Sequence, residues 1–175
     1  MSRTVGVATL LSGEEKLEVL TYWNMFEIDF NSTGVQSFDS PNFGYQGGTC
    51  EDAASLKKDL EQLWAAHPSF EVNVDGFGYF EEPSPVVYLK IEKNERLAAL
   101  HKDVHQLLEQ HCENLFALYA PDQWVPHITL AMGDISPEDI QIFKKEYHNH
   151  APAFTQKVDH LALVEFKKDG RVELL

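Results

Sequence analysis

Cysteine, basic residues and long hydrophobic segments are all scarce in this 175-residue sequence. No segment has the roughly 20 consecutive apolar residues of a membrane-spanning helix, and the N-terminal apolar stretch is too short for a secretory signal. A cytoplasmic protein without a membrane partner is therefore expected. The two cysteines, Cys50 and Cys112, lack the Cys-x-x-Cys spacing of a zinc site and are too few for a disulfide framework. Both are expected to be free thiols in a reducing compartment.

Positive charge is also scarce, because 14 basic residues stand against 28 acidic ones and the formal net charge is −14. A field of this sign repels a long polyanion, so a large footprint on duplex nucleic acid is not expected. A small phosphate ligand remains compatible with the charge, since a few hydrogen-bond donors in a groove are enough to hold it.

Helical and strand-like patterns alternate along the chain, which is typical of a mixed α and β architecture. Apolar residues at helical spacing predict four helices, in the segments 12–26, 51–66 and 94–111 and in the segment that follows Ser136. Strands are predicted near 1–10, 36–48, 70–75, 86–91, 125–131, 161–166 and 172–175. Hairpins are expected across 81–84 and across 167–171, whose Asp-Gly pair favours a tight turn. No linker divides the sequence, so residues 1–175 are predicted to form one domain.

The order of these elements predicts two similar halves, each with a strand after its first helix. In the second half this strand carries His127 and Thr129, and in the first half it carries Asn42 and Gly44. The two segments align at their prolines, Pro41-Asn42-Phe43-Gly44-Tyr45 against Pro126-His127-Ile128-Thr129-Leu130. The alignment therefore pairs His127 with an asparagine and Thr129 with a glycine.

The strand at Val125–Ala131 carries polar side chains where a strand normally buries hydrocarbon. Side chains two residues apart share one face, so His127 and Thr129 point the same way. An imidazole beside a hydroxyl suits a phosphate, because the ring transfers a proton near neutral pH and the hydroxyl donates to a phosphoryl oxygen. The alternative is a buried histidine whose ring is satisfied by a neighbouring carbonyl group.

Together with the central hairpin at 70–80 and 86–89, the motif Val125-Pro126-His127-Ile128-Thr129-Leu130-Ala131 resembles the two-histidine (2H) phosphoesterase superfamily. This group includes bacterial 2'-5' RNA ligase-like proteins and cyclic phosphodiesterases. The resemblance implies an α+β fold in which two pseudo-symmetric lobes of antiparallel sheet, with helices packed outside, surround a central groove. It also implies that each lobe supplies one His-x-Thr motif to the phosphate, and that neither a metal ion nor another cofactor is required.

The sequence departs from that family pattern in its first motif, where Asn42 replaces the histidine and Gly44 the threonine. The resemblance therefore makes His127 and Thr129 the catalytic residues, and Asn42, Gly44, Tyr45 and Trp124 the residues that bind substrate. An asparagine donates hydrogen bonds to a phosphate but does not relay a proton at neutral pH. Backbone N–H groups at Gly47 and Gly48 are a further candidate for anion binding.

Five other histidines are not expected to take part in catalysis. His67, followed by Pro68, is expected at a helix C-terminus. His101 and His105 lie one helical turn apart but lack a third metal ligand, so a solvated helix flank is expected. His148 and His150 fall in a polar loop.

Two functions from different classes follow from these observations. The first is a weak or specialised phosphodiesterase that acts on a 2',3'-cyclic or 2'-5'-linked nucleotide or RNA end. The second is a catalytically lapsed module on the same fold that binds a nucleotide or a protein.

Overall fold

A computed structural model describes all 175 residues and contains four helices and nine strands. The helices are α1 (Gly13–Phe30), α2 (Ala53–Ala65), α3 (Glu95–His111) and α4 (Pro137–Tyr147). The strands are β1 (Arg3–Leu10), β2 (Asn42–Cys50), β3 (Phe70–Phe80), β4 (Val86–Ile91), β5 (Cys112–Glu113), β6 (His127–Met132), β7 (Ala153–Val158), β8 (Ala162–Phe166) and β9 (Val172–Leu174).

Three of the helices begin at a residue whose side chain accepts a hydrogen bond from the first turn. Asp52 caps α2, Asn94 caps α3 and Ser136 caps α4, each with an oxygen that satisfies a free backbone N–H group. In α4 the two residues cap each other, because the Asp139 carboxylate also accepts a hydrogen bond from the backbone N–H of Ser136. The starts of these three helices are therefore determined by local sequence.

The strands form two antiparallel sheets that face each other across a groove. The first sheet has the order β5-β2-β1-β8-β9 and the second has the order β6-β4-β3-β7. One cluster of 32 buried residues runs through both sheets and the helices that cover them. The α+β fold with two antiparallel lobes is thus confirmed.

Each lobe combines elements from both halves of the sequence. Helix α1 follows β1 of the first sheet but contacts β6 and β7 of the second. Helix α3 follows β4 of the second sheet but contacts β2 of the first. The C-terminal strands β8 and β9 complete the first sheet beside β1. The halves are therefore interlocked, and neither half forms a lobe alone.

Two strands were not predicted from the sequence, and one predicted helix face is wrong. β5 has only two residues, and β7 has three consecutive polar residues, Thr155, Gln156 and Lys157, in place of an alternating pattern. Leu17 is one of the apolar residues at helical spacing that predict a helix in the segment 12–26, but its side chain is 64% exposed. The buried face of α1 is instead formed by Val19, Trp23 and Phe26.

No helix in the structure is long and apolar enough to cross a membrane. Cys50 and Cys112 are register partners across β2 and β5, and both are free, as the sequence predicts.

Candidate active site

The two proline-led segments line one groove between the sheets. Each proline directly precedes the first residue of a strand, which is Asn42 in β2 and His127 in β6. A cavity of about 410 Å³ lies between the sheets, and its walls include Asn42, Gly44, His127 and Thr129. The fold therefore brings the two aligned segments together at this cavity, which we call the groove.

A bulge at the same position in both strands supports the alignment of the two segments. The pairing of β2 with β1 skips Tyr45, and the pairing of β6 with β4 skips Leu130. Each skipped residue lies three positions after the first residue of its strand. Asn42 and His127 are therefore structurally equivalent, and the correspondence predicted from one proline holds in the backbone.

His127 is held in a defined orientation by its own chain. Its Nδ1 lies 2.6 Å from the carbonyl oxygen of Val125, so Nδ1–H donates and the neutral ring carries its lone pair on Nε2. The ring is enclosed by Phe80 and Tyr88, with ring centroids 5.2 and 5.1 Å away. Burial lowers the pKa of His127 below its ordinary value, and the hydrogen bond to Val125 offsets this only in part. The imidazole is therefore neutral at pH 7 and has the free nitrogen that a general base requires.

Thr129 is positioned by a contact between β6 and α1. The indole Nε1–H of Trp23 donates to the carbonyl oxygen of Thr129 at 3.0 Å, which fixes the backbone at this point. The threonine hydroxyl makes no hydrogen bond within the protein and lines the groove. It is therefore free to donate to an oxyanion.

Neither Tyr45 nor Trp124 lines the groove, and the expectation that Tyr45 binds substrate is wrong because its side chain lies in the core. Tyr45 is fully buried, and its hydroxyl is 2.7 Å from the Thr9 hydroxyl. Alternation along β2 explains this, because Asn42 and Gly44 face the groove and Tyr45 faces the core. Trp124 is 2% exposed and donates through its indole N–H to the carbonyl oxygen of Gly44 at 3.0 Å. Trp124 thus anchors β2 to the segment that leads into β6.

Gln46 is a groove residue that sequence reasoning missed. It lies just after the bulge at Tyr45, borders the groove and is 2% exposed. Its Oε1 accepts from the backbone N–H of Gly47, and its Nε2 lies 3.0 Å from Nδ1 of His105. Because the bulge at Tyr45 interrupts the alternation of β2, no local pattern in the sequence identifies Gln46.

Comparison with sequence models of protein families places the chain in a family. A sequence model described as the 2'-5' RNA ligase superfamily matches residues 38–170. The chain belongs to this superfamily. The matched region contains both strands that begin at the groove.

A solved structure has the same fold as this chain, and two curated proteins are similar to part of its sequence. The fold matches Escherichia coli LigT, solved in complex with 3'-AMP, at a TM-score of 0.64 and 18% identity, over 99% of this chain and 94% of LigT. Two curated proteins, provisionally named phosphoesterases, come from Geobacillus thermodenitrificans and Geobacillus kaustophilus. They are 27% and 32% identical over 66% and 46% of this chain. The chain spans only 62% and 42% of their lengths in these matches.

The groove has one His-x-Thr motif instead of the two that resemblance to the superfamily implies. Asn42 donates a hydrogen bond from Nδ2 to the carbonyl oxygen of Ser40 at 2.9 Å, so one of its two amide hydrogens already has an acceptor within the protein. Gly44 leaves space, because a Cβ added there would lie 3.6 Å from the Tyr119 ring, an ordinary contact. One wall of the groove thus supplies the imidazole and the hydroxyl, and the opposite wall supplies an amide and open space.

No side chain that lines the groove is an Asp, Glu, Lys or Arg. His127 is its only imidazole, and most of the other lining residues are aliphatic or aromatic. No group of three or more His, Cys, Asp or Glu side chains that could hold a metal ion occurs in the structure. Hydrogen-bond donors, rather than charged side chains, must therefore hold an anion at this site.

The other histidines lie outside the groove, and one of them differs from the prediction. His67 follows the end of α2 and contacts Asp103, in agreement with a structural role. His148 and His150 form an exposed turn after α4. His101 was expected on a solvated flank but is 2% exposed, since its ring stacks on Trp124 with centroids 3.9 Å apart. Its partner across one helical turn, His105, contacts Gln46 as described above.

Gly47 and Gly48 serve packing, so their predicted role in anion binding is wrong. Neither lines the groove. A Cβ at Gly47 would collide with the ring of Phe116, and one at Gly48 would lie 2.9 Å from the carbonyl oxygen of Glu113. These glycines allow the segment after α3 to cross β2 closely.

Proposed function

We propose that this chain is a metal-independent phosphodiesterase of low turnover that acts on a small nucleotide phosphodiester, a 2',3'-cyclic or 2'-5'-linked nucleotide or RNA end. The observation that carries this proposal is the geometry of His127, whose Nδ1 is hydrogen bonded to Val125 while Nε2 has no partner in the protein. Thr129, with a free hydroxyl, lines the same groove. The likeness to LigT, which has been solved with 3'-AMP, ATP and NADP⁺, supports a nucleotide as the ligand.

In the hydrolysis of a 2',3'-cyclic phosphate, Nε2 of His127 takes a proton from the attacking water as its oxygen bonds to phosphorus. The bond from phosphorus to one ribose oxygen breaks, and that oxygen takes up a proton. Thr129 and Asn42 donate hydrogen bonds to the non-bridging oxygens, on which negative charge grows. With no second imidazole, the leaving oxygen takes its proton from solvent. Loss of one acid-base group lowers the rate by roughly two to four orders of magnitude.

The test is hydrolysis of 2',3'-cyclic nucleotides and 2'-5'-linked dinucleotides by the wild type and by His127→Ala. We expect slow wild-type turnover that disappears in the variant, because the only imidazole in the groove is gone. His150→Ala is the matched control, since His150 is exposed and outside the groove, and it should keep the wild-type rate. An unchanged rate in a folded His127→Ala protein would refute the enzymatic role.

A nucleotide-binding module without turnover is the second candidate, and the loss of the first His-x-Thr motif favours it. The double substitution Asn42→His/Gly44→Thr distinguishes the two. If the wild type binds nucleotide without hydrolysing it and the double variant gains turnover, the natural protein is a binder on a competent scaffold. Wild-type turnover that depends on His127 would instead establish the enzyme.

For either candidate, we take residues 1–175 to act as one unit in the cytoplasm. The partner is a small nucleotide or an RNA end, and long duplex nucleic acid is not among the proposed ligands. The formal charge of −14 supports this last point.

A further inference from the structure

Tyr119 is a groove residue whose hydroxyl the proposed function does not use. A second cavity of about 260 Å³, beside the β3–β4 turn, meets the groove, and the two share Tyr119, His127, Thr129 and Met132 as lining residues. The phenol ring of Tyr119 lies 6.3 Å from the His127 ring, measured between centroids. Tyr119 therefore lies beside the two motif residues of β6, where the two cavities join.

The Tyr119 ring also borders the position from which a motif side chain is missing. A Cβ added to Gly44 would lie 3.6 Å from Cε2 of Tyr119, and this ring carbon is bonded to the one that carries the hydroxyl. The resemblance to the superfamily implies a threonine at position 44. The phenol hydroxyl of Tyr119 thus lies near the space that such a threonine side chain would enter.

The hydroxyl of Tyr119 is free to bind a ligand. It has no hydrogen-bond partner in the protein, and it is not sealed in the core, because the buried side-chain atoms without a partner are Oη of Tyr79 and Oε1 of Gln156. Burial of the ring raises the pKa of Tyr119 above its ordinary value, so the phenol keeps its proton at neutral pH. The hydroxyl is therefore suited to donate a hydrogen bond to an anion.

Tyr119 is held in place through both its backbone and its ring. Its carbonyl oxygen accepts a hydrogen bond from Nε2 of His101 at 2.9 Å, and its backbone N–H donates to the carbonyl oxygen of Phe116 at 3.1 Å. The Phe116 ring is in edge contact with the phenol ring, with centroids 6.2 Å apart. The phenol is therefore positioned before a ligand binds, which lowers the entropy lost when its hydroxyl forms a hydrogen bond.

We propose that the Tyr119 hydroxyl donates a hydrogen bond to a non-bridging oxygen of the phosphodiester, in place of the threonine hydroxyl that is missing at Gly44. This rests on the proposed function, in which Thr129 and Asn42 donate to the same phosphate group. No charged side chain lines the groove, so a third neutral donor strengthens the binding of the anion and stabilises the negative charge that grows on its oxygens.

The test is titration calorimetry of the wild type and of Tyr119→Phe with a 2',3'-cyclic nucleotide and with the uncharged nucleoside of the same base. Chromatography after each titration checks that the cyclic nucleotide is intact. The variant keeps the aromatic ring and removes only the hydroxyl. We expect the dissociation constant for the cyclic nucleotide to rise about tenfold, because a hydrogen bond to a charged group is lost. The affinity for the nucleoside should stay within about twofold, since it has no phosphate.

Tyr22→Phe is the matched control, because Tyr22 is also half-buried and lines neither cavity. This variant should bind both ligands as the wild type does. A change of less than about twofold for the cyclic nucleotide in folded Tyr119→Phe, or an equal loss of affinity for both ligands, would overturn the role of Tyr119 alone. If the wild type bound neither the cyclic nucleotide nor a 2'-5'-linked dinucleotide, the proposed function itself would be overturned.

Discussion

Two polar side chains near the groove are oriented by hydrogen bonds within the protein, and one of them, His127, keeps its Nε2 free for a ligand. His127 is oriented by the carbonyl group of Val125, and Gln46 by Gly47 and His105. These contacts keep the reactive atoms in place before a ligand arrives, which limits the entropy lost on binding. Trp124 links this layer to His101, the most deeply buried histidine in the structure.

The buried ring of His101 makes stability depend on pH. Burial lowers its pKa to about 4, even though the hydrogen bond to the carbonyl group of Tyr119 acts in the opposite direction. In the unfolded chain the ring takes up a proton near pH 6.5, so the unfolded state binds more protons between these values. Stability is therefore fully present above pH 6.5 and declines as the pH falls toward 4, by up to roughly 3 kcal/mol.

Urea unfolding at a series of pH values measures this decline. His101→Phe keeps an aromatic ring against Trp124 but removes the titration, so its curve should be flatter than that of the wild type over this range. Parallel curves for the two proteins would show that His101 is not the group responsible.

The segment after α1 forms a wall of the groove. It is held in place by hydrogen bonds to the carboxylate of Asp134, in the loop after β6. Asp134 accepts hydrogen bonds from the Ser32 hydroxyl and from the backbone N–H groups of Thr33 and Gly34, at 2.8 and 2.9 Å for the latter two. Gly34 is packed so closely that an added Cβ would collide with the carbonyl oxygen of Met132. The short 3₁₀ turn that begins at Gly34 leads into Phe38, which lines the groove.

Replacing Asp134 with Ala should loosen this wall, because it leaves the donors of Ser32, Thr33 and Gly34 without an acceptor. We expect a loss of about 1–3 kcal/mol in the free energy of unfolding. Hydrogen exchange at the Thr33 and Gly34 amides should become faster, since their hydrogen bonds are lost. Asp122→Ala is the control, as Asp122 is exposed and its carboxylate makes no hydrogen bond. Unchanged exchange at both amides would contradict the fastening role.

For the whole molecule, the balance of charge opposes the binding of an anion. The formal net charge is −14, and no charged side chain lines the groove to reverse the potential locally. Salt shortens the range of this repulsion, from a Debye length of about 30 Å at 0.01 M to about 8 Å at 0.15 M. Affinity for a nucleotide should therefore rise with ionic strength, whereas binding by basic residues falls.

Titration of a 2',3'-cyclic nucleotide at about 20 mM and about 200 mM NaCl should show a dissociation constant two- to threefold lower at the higher salt concentration. The uncharged nucleoside with the same base should show no such change. A dissociation constant that rises with salt would indicate that a cationic side chain contacts the ligand.

Several elements could be predicted because their causes are local. The caps at Asp52, Asn94 and Ser136 and the periodic apolar faces behind them define α2, α3 and α4. The two hairpins follow from the alternation of their strands and from the turn residues between them. The equivalence of Asn42 and His127 also follows from sequence, since both begin a strand directly after a proline.

Other features depend on contacts between residues that are distant in sequence. β7 is a strand because it pairs along β3, and its own residues do not indicate this. Tyr45 was expected at the groove but lies in the core, because which face of β2 is buried depends on its packing against α3. His101 is buried because Trp124 covers it, and Gly47 and Gly48 make room for Phe116 and the segment after α3.

The sequence by itself determined the helices, the hairpins, the family resemblance and the presence of a single His-x-Thr motif, because each of these depends on residues that are neighbours in sequence. The tertiary structure decided how the halves interlock, which face of each strand meets the groove, and that a second cavity joins the groove at His127. These depend on packing between distant segments, where burial and shape select one arrangement among many that the local pattern allows.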